Sequence, residues 1–118
     1  RIDKAPPICR FILISGGRRI TLAEGENVMG RDTDLPVRLA SSTVSRRHAC
    51  ITIAGDSATV TDLGSRNGTF VNEQRIDSVV SLKDGDQIRV GSILCTLHLN
   101  IEGETQPWTS SQADIRAT

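Results

Sequence analysis

Eight consecutive positions, Ser41-Ser42-Thr43-Val44-Ser45-Arg46-Arg47-His48, hold four hydroxyls, two guanidiniums and an imidazole. Hydroxyl and guanidinium groups are short-range and charge-assisted donors, so the set is suited to holding an anion. A second segment, Leu63-Gly64-Ser65-Arg66-Asn67-Gly68-Thr69, adds two hydroxyls, a guanidinium and an amide. A third, Gly30-Arg31, adds one more guanidinium beside a glycine. Each has a plain explanation when taken alone. The first is a solvated loop feeding a strand, and Asn67-Gly68 is the dipeptide that tight hairpins favour.

These positions need a frame, and the rest of the chain reads as short strands. Phe11 to Ile14 is an apolar run stopped by Gly16-Gly17. Arg19 to Leu22, Asn27 to Met29, Val37 to Leu39 and Ala49 to Ile53 follow. After a Gly55-Asp56 turn come Ala58 to Thr61, Thr69 to Val71, a turn at Asn72 to Gln74 toward Ile76, Val79 to Leu82, Gln87 to Val90 and Ile93 to Leu99. No segment keeps a 3.6-residue apolar period over three turns. Ten or eleven short strands at regular spacing predict an all-β sandwich. Arg31 to Pro36, Ala40 to Ser45 and Leu63 to Gly68 are its longer polar connections, and loops at the ends of a sandwich commonly carry function.

The chain has 118 residues, which fits one domain. Residues 1–9 read as a lead-in, 10–100 as the domain, and 101–118 as a polar tail or linker. The absence of an initial Met suggests a piece of a longer protein. Hydrophobic content of 37% and charged content of 24% argue against a disordered chain. No apolar run approaches the ~18 residues of a spanning helix. Fourteen basic residues balance fourteen acidic ones, so nothing draws the chain generally to nucleic acid or lipid. Lys4 and Lys83 are the only lysines, so the basic set is dominated by Arg, whose planar fork suits phosphate and carboxylate. Cys9, Cys50 and Cys95 are odd in number and unclustered, and are expected as reduced thiols in a cytoplasmic protein.

Taken in order, Gly30-Arg31, Ser45-x-x-His48, Ser65-Arg66-Asn67-Gly68-Thr69, the Asn72 turn and Asp84-Gly85-Asp86…Val90-Gly91 resemble the forkhead-associated (FHA) domain family. The resemblance spans roughly Arg10 to Asn100. It implies a sandwich of about eleven strands that reads phosphothreonine peptides through loops at one end, and serves phosphorylation-dependent protein interaction in signalling. By resemblance, Arg31, Ser45, Arg46, Ser65 and Arg66 are the phosphate-binding candidates, and Asn67 holds the peptide backbone. His48, Gly30 and Gly68 are implied as supports of the site. The partner implied is a protein phosphorylated by a Ser/Thr kinase. No cofactor, metal or catalytic residue is expected. A phosphothreonine brings about −1.5 to −2 charges and three acceptor oxygens, and ordering a flexible peptide opposes the gain. Micromolar affinity, about −8 kcal/mol, is therefore expected.

One position departs from the family. Some members carry a basic residue two places before the Ser-x-x-His serine, which selects an acidic residue three after the phosphothreonine. Here it is Thr43, so that preference is not carried over. Other readings are weaker. Ser45 and His48 as nucleophile and base lack an orienting acid and an oxyanion site, and positions three apart in extended backbone face opposite ways. His48, Cys50, Cys95 and His98 do not share the face a zinc ion needs. Arg46-Arg47 and Arg18-Arg19 have only Phe11, Phe70 and Trp108 as stacking partners for a nucleic acid. The principal alternative is an FHA-like scaffold that assembles without phosphate. Thr105, Thr109, Ser110, Ser111 and Thr118 in the tail are candidates for a self-docking phosphosite.

Overall fold

The computed structural model describes residues 8–102, with side chains from 10 to 100. The tail threonines and serines lie outside the described residues. Eleven strands appear in chain order: β1 (Ile8–Ser15), β2 (Arg18–Thr21), β3 (Gly25–Gly30), β4 (Val37–Arg38), β5 (Ala49–Ala54), β6 (Ser57–Asp62), β7 (Thr69–Val71), β8 (Gln74–Arg75), β9 (Val80–Leu82), β10 (Gln87–Val90) and β11 (Ile93–Glu102). They form two sheets, ordered β2-β1-β11-β10-β7-β8 and β4-β3-β5-β6-β9. All pairings are antiparallel except β3 with β4. The sandwich expected from the strand pattern is the fold found.

Side chains alternate across a strand, so β6, β7 and β10 each give one face to the interior. Phe11 and Leu13 of β1, Leu97 and Cys95 of β11, and Ile88 and Val90 of β10 meet Met29, Ile51, Ile53 and Val60 from the other sheet in one buried cluster. Each fully buried Leu, Ile or Met contributes roughly 1.5–3 kcal/mol. That core holds the strand ends, and therefore the loops, in fixed relation.

The register brings the loops together. Met29 at the end of β3 pairs with Ala49 at the start of β5, and Ala49 pairs with Asp62 at the end of β6. In the other sheet Thr69 pairs with Val90, and Val90 with Ile93. Ile14, near the end of β1, pairs with Thr96, near the start of β11. The connections at 31–36, 39–48, 63–68 and 91–92, together with the Gly16-Gly17 hairpin, thus share one end of the sandwich. No helix among the described residues is long and apolar enough to cross a membrane.

Candidate functional site

The loops at this end are joined to one another through main-chain atoms. Arg31 N–H donates to Ser45 O at 3.0 Å, and Asp32 N–H donates to Arg46 O at 3.3 Å. These two bonds lay the start of the 31–36 loop along the Ser45-Arg46 peptide. Gly30 makes the approach possible, because a Cβ there would run into the Arg46 carbonyl oxygen and the Leu35 side chain. It is a position that requires the smallest residue for space.

The backbone bends at Arg46 and Arg47 instead of running extended from Ser45 to His48. The expectation that Ser45 and His48 face opposite ways is therefore corrected. The His48 ring folds back, and its Nδ1 accepts the Ser45 N–H at 3.0 Å. Only the amide can donate in that contact, so in the neutral ring the proton sits on Nε2. Nε2–H then donates to Gly68 O at 2.8 Å. His48 is fully buried and has both nitrogens engaged by main chain. It ties the Ser45 turn to the 63–68 loop, and neither nitrogen is available to take a proton from Ser45 Oγ.

The hydroxyls of Ser45 and Ser65 are in different situations. Ser45 Oγ accepts the Arg66 N–H at 3.1 Å. Its own proton meets no acceptor among the described residues, which leaves one O–H donor at the loop surface. Ser65 Oγ gives its proton to Asp62 Oδ1 at 2.6 Å and accepts the Gly68 N–H at 2.9 Å. In this arrangement Ser65 braces its own loop.

Asp62, which the sequence reading did not single out, is the organiser of that loop. Its Oδ1 accepts from Ser65 Oγ and, at 2.7 Å, from Thr69 Oγ1. Its Oδ2 accepts the Gly64 and Ser65 N–H groups at 3.0 and 2.9 Å. Burial alone would raise the Asp62 carboxyl, but the bonds from the Ser65 and Thr69 side chains and the two amides outweigh it. They hold it below its ordinary range. A signal was present in the sequence: an Asp three residues before a Ser, after a strand and before a Gly-rich turn, is placed to bond the amides that follow it.

The guanidiniums are held from behind and open in front. Arg31 Nε donates to Val44 O at 3.0 Å, which fixes the plane of the fork while both Nη groups remain uncommitted. Arg46 and Arg66 are exposed, and no ion pair among the described residues engages them. Asn67 Nδ2 donates to Thr43 O at 2.7 Å, leaving its Oδ1 and second N–H outward. Gly68 has φ of +90°, a backbone state that a side chain would strain.

A fourth loop joins them. Ser92 N–H donates to Thr43 Oγ1 at 2.9 Å, and Ser92 Oγ lies 2.7 Å from the same atom. Ser41 Oγ is 2.9 Å from it on the other side. Thr43 is thus the centre of a neutral hydroxyl chain. His48, Cys50, Cys95 and His98 do not form a cluster, and no three His, Cys, Asp or Glu among the described residues come together to hold a metal.

A family model of the FHA domain matches residues 27–91. The chain is 40% identical over 77 residues to the glycogen accumulation regulator GarA of Mycolicibacterium smegmatis, covering 65% of this chain and 48% of that protein. It is 43% identical over 84 residues to the FHA domain-containing protein FhaA of Mycobacterium tuberculosis, covering 70% of this chain and 16% of that one. The chain spans about half the length of GarA, and less of FhaA. Among solved structures it is similar to an FHA domain from a study of phosphothreonine-dependent FHA domain interactions, with a TM-score of 0.72 and 38% identity over 75% of this chain and 95% of that one. It is also similar to Mycobacterium tuberculosis EmbR in complex with a low affinity phosphopeptide, with a TM-score of 0.73 and 35% identity over 82% of this chain and 26% of that one. With the matched segment spanning the loops at 31–36, 39–48 and 63–68, the chain belongs to the FHA domain family.

Proposed function

We propose that this domain is a non-catalytic reader of phosphothreonine in a partner protein, acting in phosphorylation-dependent signalling. The observation that carries the reading is the pairing of two donors. The uncommitted fork of Arg31 and the uncommitted hydroxyl of Ser45 are joined by the Arg31 N–H to Ser45 O bond and stand at one loop surface. A phosphate dianion can accept from both, and two charge-assisted bonds of roughly 1.5–3 kcal/mol each supply about 3–6 of the ~8 kcal/mol of a micromolar affinity. Arg46 and Arg66 flank the same surface and add charge. Asn67, with acceptor and donor both outward, pairs with a peptide backbone whatever its sequence. His48, Gly30 and Gly68 keep the loops in register, and Ser65 joins them in that role through Asp62. The free and buried Cys50 and Cys95 support a reducing, intracellular setting. The similarity to EmbR, solved in complex with a phosphopeptide, supports the same reading.

The test is calorimetric titration with phosphothreonine, phosphoserine and unphosphorylated versions of a degenerate peptide pool. Binding of the phosphothreonine pool alone, lost in Arg31→Ala and Ser45→Ala with folding intact, is the expected result. No binding of any pool overturns the reading and leaves an assembly module that works without phosphate.

A further inference from the structure

Beyond the phosphate site, three arginines at the same end of the sandwich form a ladder along its edge. Arg31 Nε donates to Val44 O. Arg38 Nε donates to Arg31 O at 3.3 Å. Arg18 Nη1 donates to Arg38 O at 2.8 Å. β2 and β4 are the edge strands of their two sheets, so the Arg18 bond crosses the seam between the sheets. Each guanidinium has five N–H donors and one is used on a carbonyl, so four remain on every rung. All three residues are exposed. The acidic neighbours are Asp32 and Asp34 in the intervening loop, and among the described residues no ion pair joins either to the ladder.

We infer that this ladder is a docking track for acidic residues flanking the phosphothreonine in the same partner segment. The inference rests on the phosphothreonine reading and adds to it a recognition surface outside the phosphate site. The lowest rung, Arg31, belongs to both. An extended peptide leaving the phosphate advances about 3.3 Å per residue. Carboxylates within about five positions therefore reach rungs lying one or two strand spacings away, about 5–10 Å. Anchoring each side chain to a carbonyl holds the charges in a row before the ligand arrives, which lowers the ordering cost of binding. The neutral total charge of the chain favours a peptide over a polyanion, since no broad positive field surrounds the track.

The experiment titrates the full chain with three phosphothreonine peptides: one with neutral flanks, one with three glutamates on the amino-terminal side, and one with three on the carboxyl-terminal side. Arg18→Glu removes the outermost rung, which lies outside the phosphate site. Lys83→Glu makes the same charge change beyond β9, at the far end of the sandwich. One acidic peptide should bind about fivefold tighter than the neutral one, with the advantage shrinking as salt rises. Arg18→Glu should abolish that advantage and keep neutral-peptide binding within twofold, and Lys83→Glu should change neither. Equal affinity for all three peptides, or an acidic advantage that survives Arg18→Glu, overturns the track. Failure of every phosphopeptide to bind the unaltered chain overturns the phosphothreonine reading and the track with it. Retention of the chain on phosphatidylserine vesicles or a thymidine 20-mer, lost in Arg18→Glu, would assign the ladder to lipid or nucleic acid and overturn the peptide assignment.

Discussion

Replacing Asp62 by Asn tests whether the 63–68 loop is held by one carboxylate. The shape is kept and the charge is removed. Asp62 accepts four bonds, from Ser65 Oγ, Thr69 Oγ1 and the Gly64 and Ser65 amides. A side-chain amide has one acceptor oxygen, so the substituted group can face the two N–H groups or the two hydroxyls, not both. Facing the N–H groups, it must donate to Ser65 Oγ, which already accepts the Gly68 N–H, and the Ser65 proton is left without its acceptor. The two hydroxyl bonds are then reversed or lost, at about 1 kcal/mol each, and the two amide bonds that survive fall from charge-assisted to neutral. The two backbone amides count for less, because Gly64 is exposed and water replaces its partner. The total is about 2 kcal/mol, or a fall in Tm of about 10 °C for a domain near 100 residues. Asp62→Asn should also weaken phosphopeptide binding about tenfold, because the loop it orders brings Arg66 N–H to Ser45 Oγ and Asn67 to Thr43 O.

The same residue sets a pH dependence whose sign is fixed by its lowered carboxyl. A carboxyl held lower in the fold than in the unfolded chain stabilises the fold above the unfolded value of ~3.9. That contribution is lost as pH falls through the folded value. Urea midpoints followed from pH 7 down to pH 3 should therefore fall more steeply for the unaltered chain than for Asp62→Asn below about pH 4. An Asp62→Asn protein with the original midpoint at pH 7, full phosphopeptide affinity and the same acid slope would refute the argument.

Glu73 stands at φ of +71°, and its contact with Arg89 at 3.5 Å is exposed, so Glu73→Gly should relieve more strain than it loses in attraction. A rise of about 0.5 kcal/mol by urea denaturation is expected, and a fall would show that the Glu73 contact outweighs the backbone. Gly30→Ala should push the Arg46 carbonyl away, lowering thermal stability by about 2 kcal/mol and removing phosphopeptide binding. Burial raises the Cys95 thiol against the smaller opposing effects of Ser15 and Arg18. Peptide mapping after iodoacetamide treatment at pH 8 should find Cys95 unmodified in the native protein and modified in urea.

The fold was legible because turn chemistry and alternation agree. Thr69-Phe70-Val71 lies between Asn67-Gly68 and Asn72 in sequence, and β7 has those limits. Gln87 to Val90 lies between Asp84-Gly85 and Gly91, and is β10. The first and last strands in the chain run longer than their apolar pattern, since β1 starts at Ile8 and β11 ends at Glu102. The site was legible as residue types but not as roles. Ser45 and Ser65 look alike in sequence, yet one keeps its proton and the other gives it to Asp62. The Thr43 to Ser92 contact joins residues 49 apart, and nothing local announces it. The extended reading of Ser45 to His48 failed because a buried ring with two main-chain partners outweighs the preference of a strand-like pattern.

At Arg46 and Arg66 the site frame uses only atoms that every residue carries. Arg46 contributes its carbonyl oxygen to the Asp32 amide, and Arg66 contributes its amide to Ser45 Oγ. Neither contribution depends on what lies beyond Cβ. Side chains at these two positions can therefore be exchanged while the loops stay where they are, so affinity for a flanking residue can drift without a folding defect. The scaffold separates what is fixed from what is adjustable: loops held in place at main-chain atoms, and a pair of positions where the surface can change one substitution at a time.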